Sequence, residues 1–309
     1  MTAKSDGPLH LVVTCTNRKR YKIPADLYLR SVTQRRLAAR FAAWTARLDG
    51  SDTSRYTAID LYAGEHWKIV RTLTQTPMAR TAQLWIASAG YGLIPADAAI
   101  CAYGATFSAV ASDAVGATLG EVADWWHRLS TWAGPTPDQP RSFAALAARD
   151  RSATVIAVLS EAYQRACSDD LLAAAGILNS DALSVVGPRN VHPPLADVLV
   201  PVTASVRHTV GGSLQAVNIR ATKYLLEHSA GPHRTALREA AKVAAPANPP
   251  APRAPGHRLS DAEVIAYIRN HAHTSATQLL RQLRDTGRSC EQRRFAKLHR
   301  DICEAHRHD

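Results

Sequence analysis

The sequence predicts an α/β protein: a three-layer α/β/α body with a mostly parallel central sheet, followed by a small C-terminal all-α basic module. Three observations carry this. From residue 9 to residue 228, short apolar, β-branched runs alternate with longer stretches of helical period, the pattern of strands joined by crossover helices. An alanine- and proline-rich stretch, "AAKVAAPANPPAPRAPGH" (residues 240–257), then breaks the pattern with almost nothing apolar enough to anchor it. Beyond it come three short segments, each opening on a Ser followed three residues later by Glu or Gln. The predicted division is a body over residues 1–239, a linker over 240–257 and a helical module over 258–309.

In the body, the predicted strands cover residues 9–16, 56–62, 83–89, 154–159, 183–186 and 198–203. The first helix sets Leu37, Phe41, Trp44 and Leu48 on one stripe, with Arg35, Arg36, Arg40 and Arg47 off it, so the stripe buries against a sheet. Further helices are predicted over residues 119–132, 143–150, 161–175 and 214–228. Right-handed crossovers place the loops that follow the strands along one edge of the sheet, where such folds bind ligands. In the module, Val264, Ile265, Ile268, Leu279, Leu280, Leu283, Phe295, Leu298 and Ile302 would close a small core. Capping boxes pair Ser260 with Glu263, Ser275 with Gln278 and Ser289 with Gln292, and Gly287 ends the second helix.

The 309 residues are 46% hydrophobic, enough for a sizeable core plus a small second unit. A net charge of +11, with thirteen histidines in reserve, points to a polyanionic partner, nucleic acid before an anionic membrane surface. No apolar run approaches the roughly 18 residues of a membrane-spanning helix, and the apolar stretch near the N-terminus is too short for a signal peptide. The expected location is cytoplasmic. The five cysteines form no C-x-x-C pair, which argues against a disulfide framework and a thiolate zinc site and for reduced thiols.

Four polar loops follow predicted strands: "TNRKRY" (residues 16–21), "YAGEHWK" (62–68), "SAGYGLIPADAAICAYGATFS" (88–108) and "GPRNVHPPL" (187–195). In the third, Gly90, Gly92 and Gly104 permit close backbone approach, Tyr91, Tyr103 and Phe107 offer flat faces for a base, and Asp97 and Asp113 offer carboxylates. Arg18, Lys19, Arg20 and Lys22 suit phosphate contacts, as does Arg189. Tyr21 and Tyr62 suit stacking. Each has a plainer alternative: a solvated basic loop, a turn organised by Asn17, a structural carboxylate at Asp60, a helix cap at Glu65 and His66, a small core residue at Cys15. Gly211, Gly212 and Ser213 at a helix start read as an N-cap before a phosphate cradle.

The run "TCTNRKRY" after the first strand, with "LYAGEHW" and "SAGYGLIPADAAICAYGATFS", resembles the segments P-C-S-x-x-K-x-Y and S-A-x-Y-G-x-x-P of uracil-DNA-glycosylase-like domains. These include the domain appended to archaeal tRNA-guanine transglycosylases and proteins similar to the peroxide-stress DNA-binding family. The nearest functional likeness is to bacterial anti-phage DNA glycosylases that excise α-glucosylated hydroxymethylcytosine. The resemblance covers residues 9–108, with support to residue 195. It implies that Asn17 stands where the family positions its attacking water, and that His192 of "VHPPL" donates a hydrogen bond to the departing base. The family's G-Q-D-P-Y-H-G is absent and no Asp lies between Thr14 and Tyr21, so Asp97 or Asp60 is the alternative for the water.

Cleaving a deoxynucleoside's N-glycosidic bond builds positive charge on the sugar and negative charge on the base. The site needs an anion near the sugar, a polarised water and donors at the base edge. Cationic loops hold the phosphates of the extruded nucleotide, and stacking offsets the few kcal/mol that extrusion costs.

In the module, Arg293, Lys297 and Arg300 share one face of the third helix, and Arg281, Arg284 and Arg288 lie on or just after the second. This resembles a helix-turn-helix DNA binder, or else the solvated face of a docking bundle. The combined expectation is a DNA glycosylase that flips and excises a modified cytosine, needs no metal or organic cofactor, leaves abasic sites and serves anti-phage defence. Its expected partner is double-stranded DNA, phage DNA with modified bases, with no membrane and no obligate protein partner. The alternatives are an RNA base-exchange or base-modifying enzyme acting on tRNA, and a non-catalytic DNA-binding sensor.

Overall fold

The computed structural model describes residues 7–188, 193–245, 256–271 and 274–305. It divides into two compact units, Met1–Pro249 and Pro250–Asp309. The first is the predicted α/β body. Its strands are β1 (Leu9–Thr14), β2 (Arg55–Thr57), β3 (Gln83–Ser88), β4 (Gly92–Pro95), β5 (Ala99–Cys101), β6 (Thr154–Val158), β7 (Leu183–Gly187) and β8 (Leu199–Pro201). Its helices are α1 (Leu37–Asp49), α2 (Ala58–Leu61), α3 (Glu65–Leu73), α4 (Leu119–Thr131), α5 (Phe143–Arg149), α6 (Glu161–Ala166), α7 (Ser168–Ile177), α8 (Arg207–Val210), α9 (Val217–His228) and α10 (Arg234–Ala244).

Six strands form the central sheet in the order β4-β3-β1-β6-β7-β8. All neighbours are parallel except β4, which runs antiparallel to β3. Every residue of β1, β6 and β7 is buried, which explains their unbroken apolar runs: parallel strands covered by helices on both faces have no polar side. The chain leaves β1 for β3 on one side and later fills the other side with β6, so the winding reverses beside β1. The carboxyl end of β1 is therefore the topological switch point, where the two loop directions part and leave a crevice.

Three elements differ from the sequence expectation. The predicted strand over residues 56–62 is the short strand β2, paired antiparallel with β5 away from the main sheet, followed by the helical turn α2. Ala58, Leu61 and Tyr62 are buried and Asp60 is exposed, a spacing of three and four that suits a turn of helix. The predicted long loop over residues 88–108 contains β4 and β5. Gly92, at φ 74°, opens the return strand, and Pro95 falls on the sheet edge, where its missing N–H costs nothing. The predicted linker begins too early: α10 runs to Ala244, and Ala240, Ala241 and Ala244 are buried. Alanine-rich sequence served packing there, since small side chains let a helix approach closely.

The second unit orders its elements as β9 (His257–Arg258), α11 (Asp261–Arg269), α12 (Ala276–Asp285), β10 (Arg288–Ser289) and α13 (Gln292–Ala305). The predicted apolar set forms its core. It is not purely helical, because β9 and β10 pair in parallel. The capping box of Ser260 and Glu263 is complete, and Ser275 caps through Gln278 N–H. The third box is corrected: the Ser289 hydroxyl donates to Gly256 O, while the Glu291 carboxylate accepts the N–H groups of Arg293 and Arg294 at the start of α13. The ribbon takes the serine, so the next acid inherits the cap. Gly287, at φ 78°, follows α12 as expected.

Buried Arg141 ties the β4 hairpin to the segment between α4 and α5. It donates to Leu93 O at 2.9 Å, to Trp132 O at 3.1 Å and to Tyr91 O. Arg141→Ala strands three carbonyls and is expected to lower stability by about 3 kcal/mol or more in urea denaturation. A loss below about 1 kcal/mol would mean that solvent reaches those carbonyls.

Candidate functional site

The first loop is extended along the residues that follow α2. Arg20 N–H donates to Leu61 O at 2.9 Å, Ala63 N–H donates to Arg18 O at 3.0 Å, and Lys19 pairs antiparallel with Tyr62. The Thr16 hydroxyl lies 3.1 Å from Arg18 O and 3.2 Å from Ala63 O. Because side chains alternate along extended backbone, Arg18 and Arg20 point outward and Lys19 inward. The Lys19 ammonium donates to Thr16 O and lies over two rings, 4.9 Å from the centroid of Tyr62 and 4.5 Å from that of Tyr103.

Those rings belong to a buried polar chain. Tyr62 and Tyr103 hydroxyls meet at 2.9 Å, and Tyr103 reaches Ser88 Oγ at 2.6 Å. Ser88 Oγ also accepts the N–H groups of Gly90 and Tyr91. On the far side of the switch point, Cys15 Sγ meets the Tyr163 hydroxyl of α6 at 2.9 Å. Residues at the end of β3, just after β1, α2 and β5, and on α6 thus converge on the carboxyl edge of the sheet. Burial pushes the Tyr62, Tyr103 and Tyr163 phenols well above their usual range, so they stay neutral hydrogen-bonding groups. Burial also pushes Lys19 down to about 8, against the opposing influence of the neighbouring Cys15 sulfur.

Among the described residues no carboxylate enters this cluster. Asp60 is exposed, accepts from the Thr57 hydroxyl at 2.7 Å and lies 3.7 Å from Arg20. Glu65 accepts from Ser213 N–H and Arg220, which hold its carboxyl below the usual carboxylate range. The amide after Gly211 and Gly212 therefore takes a protein carboxylate in place of the phosphate weighed from sequence. Asp97 is at the wrong end of the sheet: it follows β4, next to Ala96, whose N–H donates to Leu84 O near the start of β3, and it is exposed. The antiparallel return of β4 carries it away from Ser88. Asp113 instead accepts from the Arg30 backbone and guanidinium.

Of the predicted stacking faces, Tyr21 alone is exposed, at 39%, and it already stacks on Tyr56 with centroids 3.6 Å apart. Tyr62 and Tyr103 are buried beneath Lys19. Tyr91 is a core residue whose hydroxyl accepts Cys101 N–H, and Phe107 packs edge-on against Tyr163. The close approaches that Gly90 and Gly104 permit are to the protein's own Tyr103 and Tyr28 rings, where a Cβ would sit 2.4 Å and 2.5 Å from ring carbons. Asn17, Arg18 and Lys22 are exposed. Arg189 and His192 lie outside the described residues.

Sequence reasoning passed over His66 as a cap residue. It stands at the start of α3, where Gly64, at φ 101°, turns the chain, and its ring faces the Thr14 carbonyl at the end of β1. Its Nε2 is buried with no hydrogen-bond partner among the described residues. Tyr163 and Ser88 were also missed, and nothing local in the sequence marks Tyr163. For Lys19 the sequence offered no local signal, since its neighbours Asn17 and Tyr21 are exposed and only the pairing of residues 18–20 with 61–63 turns it inward.

The C-terminal unit leaves Arg281, Arg288, Arg293, Lys297 and Arg300 exposed. Arg284 is also exposed but donates to Cys290 O at 3.1 Å, so it holds the turn before α13 as well as adding charge. Arg294 pairs with Asp261 at 2.7 Å and serves the fold.

On the flank of the sheet, a groove of about 580 Å³ is lined by Trp126, His127, Ser130, Asp169 and Asp170. Asp170 is committed to the Phe143 and Ala144 N–H groups and the Trp126 indole, so that carboxylate serves the fold. No helix of the described residues is long and apolar enough to cross a membrane, and they hold no group of three or more side chains suited to a metal ion. Comparison with protein-family models, curated proteins and solved structures finds no match.

Burial pushes His66 from 6.5 down to about 4. The unfolded chain then takes up this proton first as the pH falls, so stability is complete above about 6.5 and is lost toward about 4, on the order of 3 kcal/mol. Urea titrations at pH 7.5, 6 and 5 are expected to show that His66→Gln is less pH-sensitive than the parent. Equal slopes would place the ring in water.

Proposed function

We propose that the chain is a DNA glycosylase that removes a modified base, a glucosylated hydroxymethylcytosine being the first candidate, from an extruded nucleotide in double-stranded DNA. The observation that carries this reading is a cationic polar cluster at the switch point, free of carboxylates among the described residues, with Asn17, Arg18 and Arg20 exposed on the same loop. Such a site suits an anionic substrate. Arg18, Arg20 and Lys22 hold phosphates, Asn17 positions the water, and flanking phosphates compensate the charge that develops on the sugar. Lys19 leaves the set of phosphate-holding cations, since its ammonium points into the body. The basic face of α13, with Arg281 and Arg288, adds sequence-independent affinity that falls steeply with salt. The intracellular setting and the defensive use belong to the same proposal.

Base exchange on RNA is less well supported. It calls for a sequestered carboxylate nucleophile, and Asp60 and Asp97 are both exposed.

The test incubates the protein with phage genomic DNA carrying unmodified, hydroxymethylated or glucosylated cytosine. Alkali reveals abasic sites, and mass spectrometry identifies released bases. Free base is expected from the glucosylated DNA, and release from none of the three would overturn the proposal. Asn17→Ala is expected to cut turnover about 100-fold while DNA affinity changes less than about threefold; for a binding sensor neither the parent nor the variant turns over. Replacing Arg293, Lys297 and Arg300 together by Gln should weaken binding to every sequence alike and flatten the salt slope by up to about 2.7.

A further inference from the structure

This inference rests on the reading of the carboxyl edge as a site for an extruded deoxynucleotide. Lys19 is unlike the other cations of its loop. Its ammonium has a single hydrogen-bond acceptor among the described residues, Thr16 O, and no carboxylate partner. The titratable groups around it are the Cys15 thiol and the phenols of Tyr62 and Tyr103. Lys19 itself keeps partial exposure, as do Thr16 and Ala63 of the paired segments that hold it. Burial lowers the pKa of an amine placed this way to about 8, so it sheds its proton more readily than a lysine in water. A neutral lysine amine is a carbonyl nucleophile.

We propose that Lys19 is such a nucleophile, capturing C1′ of the deoxyribose after base loss so that the chain also cleaves the DNA strand. Hydrolysis of the glycosidic bond leaves a sugar in equilibrium with its open-chain aldehyde. The Lys19 lone pair forms the N–C1′ bond, the carbonyl oxygen takes a proton, and loss of water gives a protonated imine. Water removes a C2′ proton, and its electron pair becomes the C2′–C3′ double bond as the C3′–O bond breaks. The 3′ phosphate departs with that bond's electrons. A second water then hydrolyses the imine, freeing Lys19 and an unsaturated aldehyde on the upstream fragment. No redox partner is needed.

The experiment mixes the full chain with a duplex carrying one preformed abasic deoxyribose and adds borohydride, which reduces an imine to a stable amine. A covalent protein–DNA adduct is expected, with its mass mapped to the peptide holding Lys19. A duplex carrying tetrahydrofuran, which has no aldehyde, gives none. Lys19→Arg keeps a cation over the rings but forms no imine, so adduct should fall at least 100-fold, and Lys19→Met should do the same. Circular dichroism and melting report whether each variant folds, and if neither does, the peptide map of the parent decides alone. No adduct, or an adduct mapped to Lys22, Lys68 or the N-terminus, overturns the inference. Because the abasic site is preformed, the two readings fail separately. Base release without adduct leaves the glycosylase standing, and adduct without base release leaves Lys19 standing.

Discussion

Two backbone hydrogen bonds, Arg20 N–H to Leu61 O and Ala63 N–H to Arg18 O, decide which way Arg18, Lys19 and Arg20 face. They hold residues 18–20 extended against residues 61–63, and extended backbone alternates its side chains. Lys19 therefore enters the body while Arg18 and Arg20 meet solvent. A slip of one residue would drive two guanidinium groups into the tyrosines and expel the amine. The Thr16 hydroxyl, shared between Arg18 O and Ala63 O, works against that slip. Gly64 then turns the chain directly into α3, which brings His66 to the end of β1.

Beneath the loop, the core keeps the rings in place. Trp44 and Trp125 donate their indole N–H groups to Gly90 O and Ala89 O, which fixes the backbone beyond β3. Gly90 in turn lies so close to Tyr103 that no Cβ could fit, and Ser88 closes the turn while bonding the Tyr103 hydroxyl. Two large buried indoles are thus spent on carbonyls of the loop that backs the cluster. A truncation at Trp44 or Trp125 acts on the site through this backbone, and with it the orientation of Tyr103 under Lys19.

The layered architecture was legible because its parallel strands are buried on both faces and read as continuous apolar runs: Val12 and Val13, Ile156 to Val158, Val185 and Val186. The helix stripe of Trp44 and Leu48 was legible for the same reason. The region after β3 was not. Gly-Leu-Ile-Pro is too short for a period to show, and its partner strand is chosen by long-range pairing that no local pattern encodes. That one return strand moved Asp97 to the opposite end of the sheet. The tyrosines were noticed for their faces, and burial turned three of them into core: a ring's sequence position says nothing about whether a base or a neighbouring helix covers it. Contacts such as Cys15 with Tyr163, 148 residues apart, follow only from the strand order.

The charge at the switch point runs against what folding alone would select. A lysine whose pKa is lowered in the folded state leaves the unfolded chain binding more protons between about 8 and 10.5, so stability rises with pH across that window. Below it, the penalty for keeping the charged amine from water is fully present, on the order of 3 kcal/mol. The two ring faces return part of this, about 0.5–2 kcal/mol by cation–π attraction. A methionine of similar length would fill the space at no electrostatic cost. A chain optimised for stability would also have placed a carboxylate here, yet Asp60 and Glu65, the acids carried on the neighbouring helices, face Arg20 and Arg220 instead. Among the described residues no carboxylate lies beside the amine to offset this cost, so Lys19 stays more readily deprotonated than a lysine in water, as the proposed imine chemistry requires.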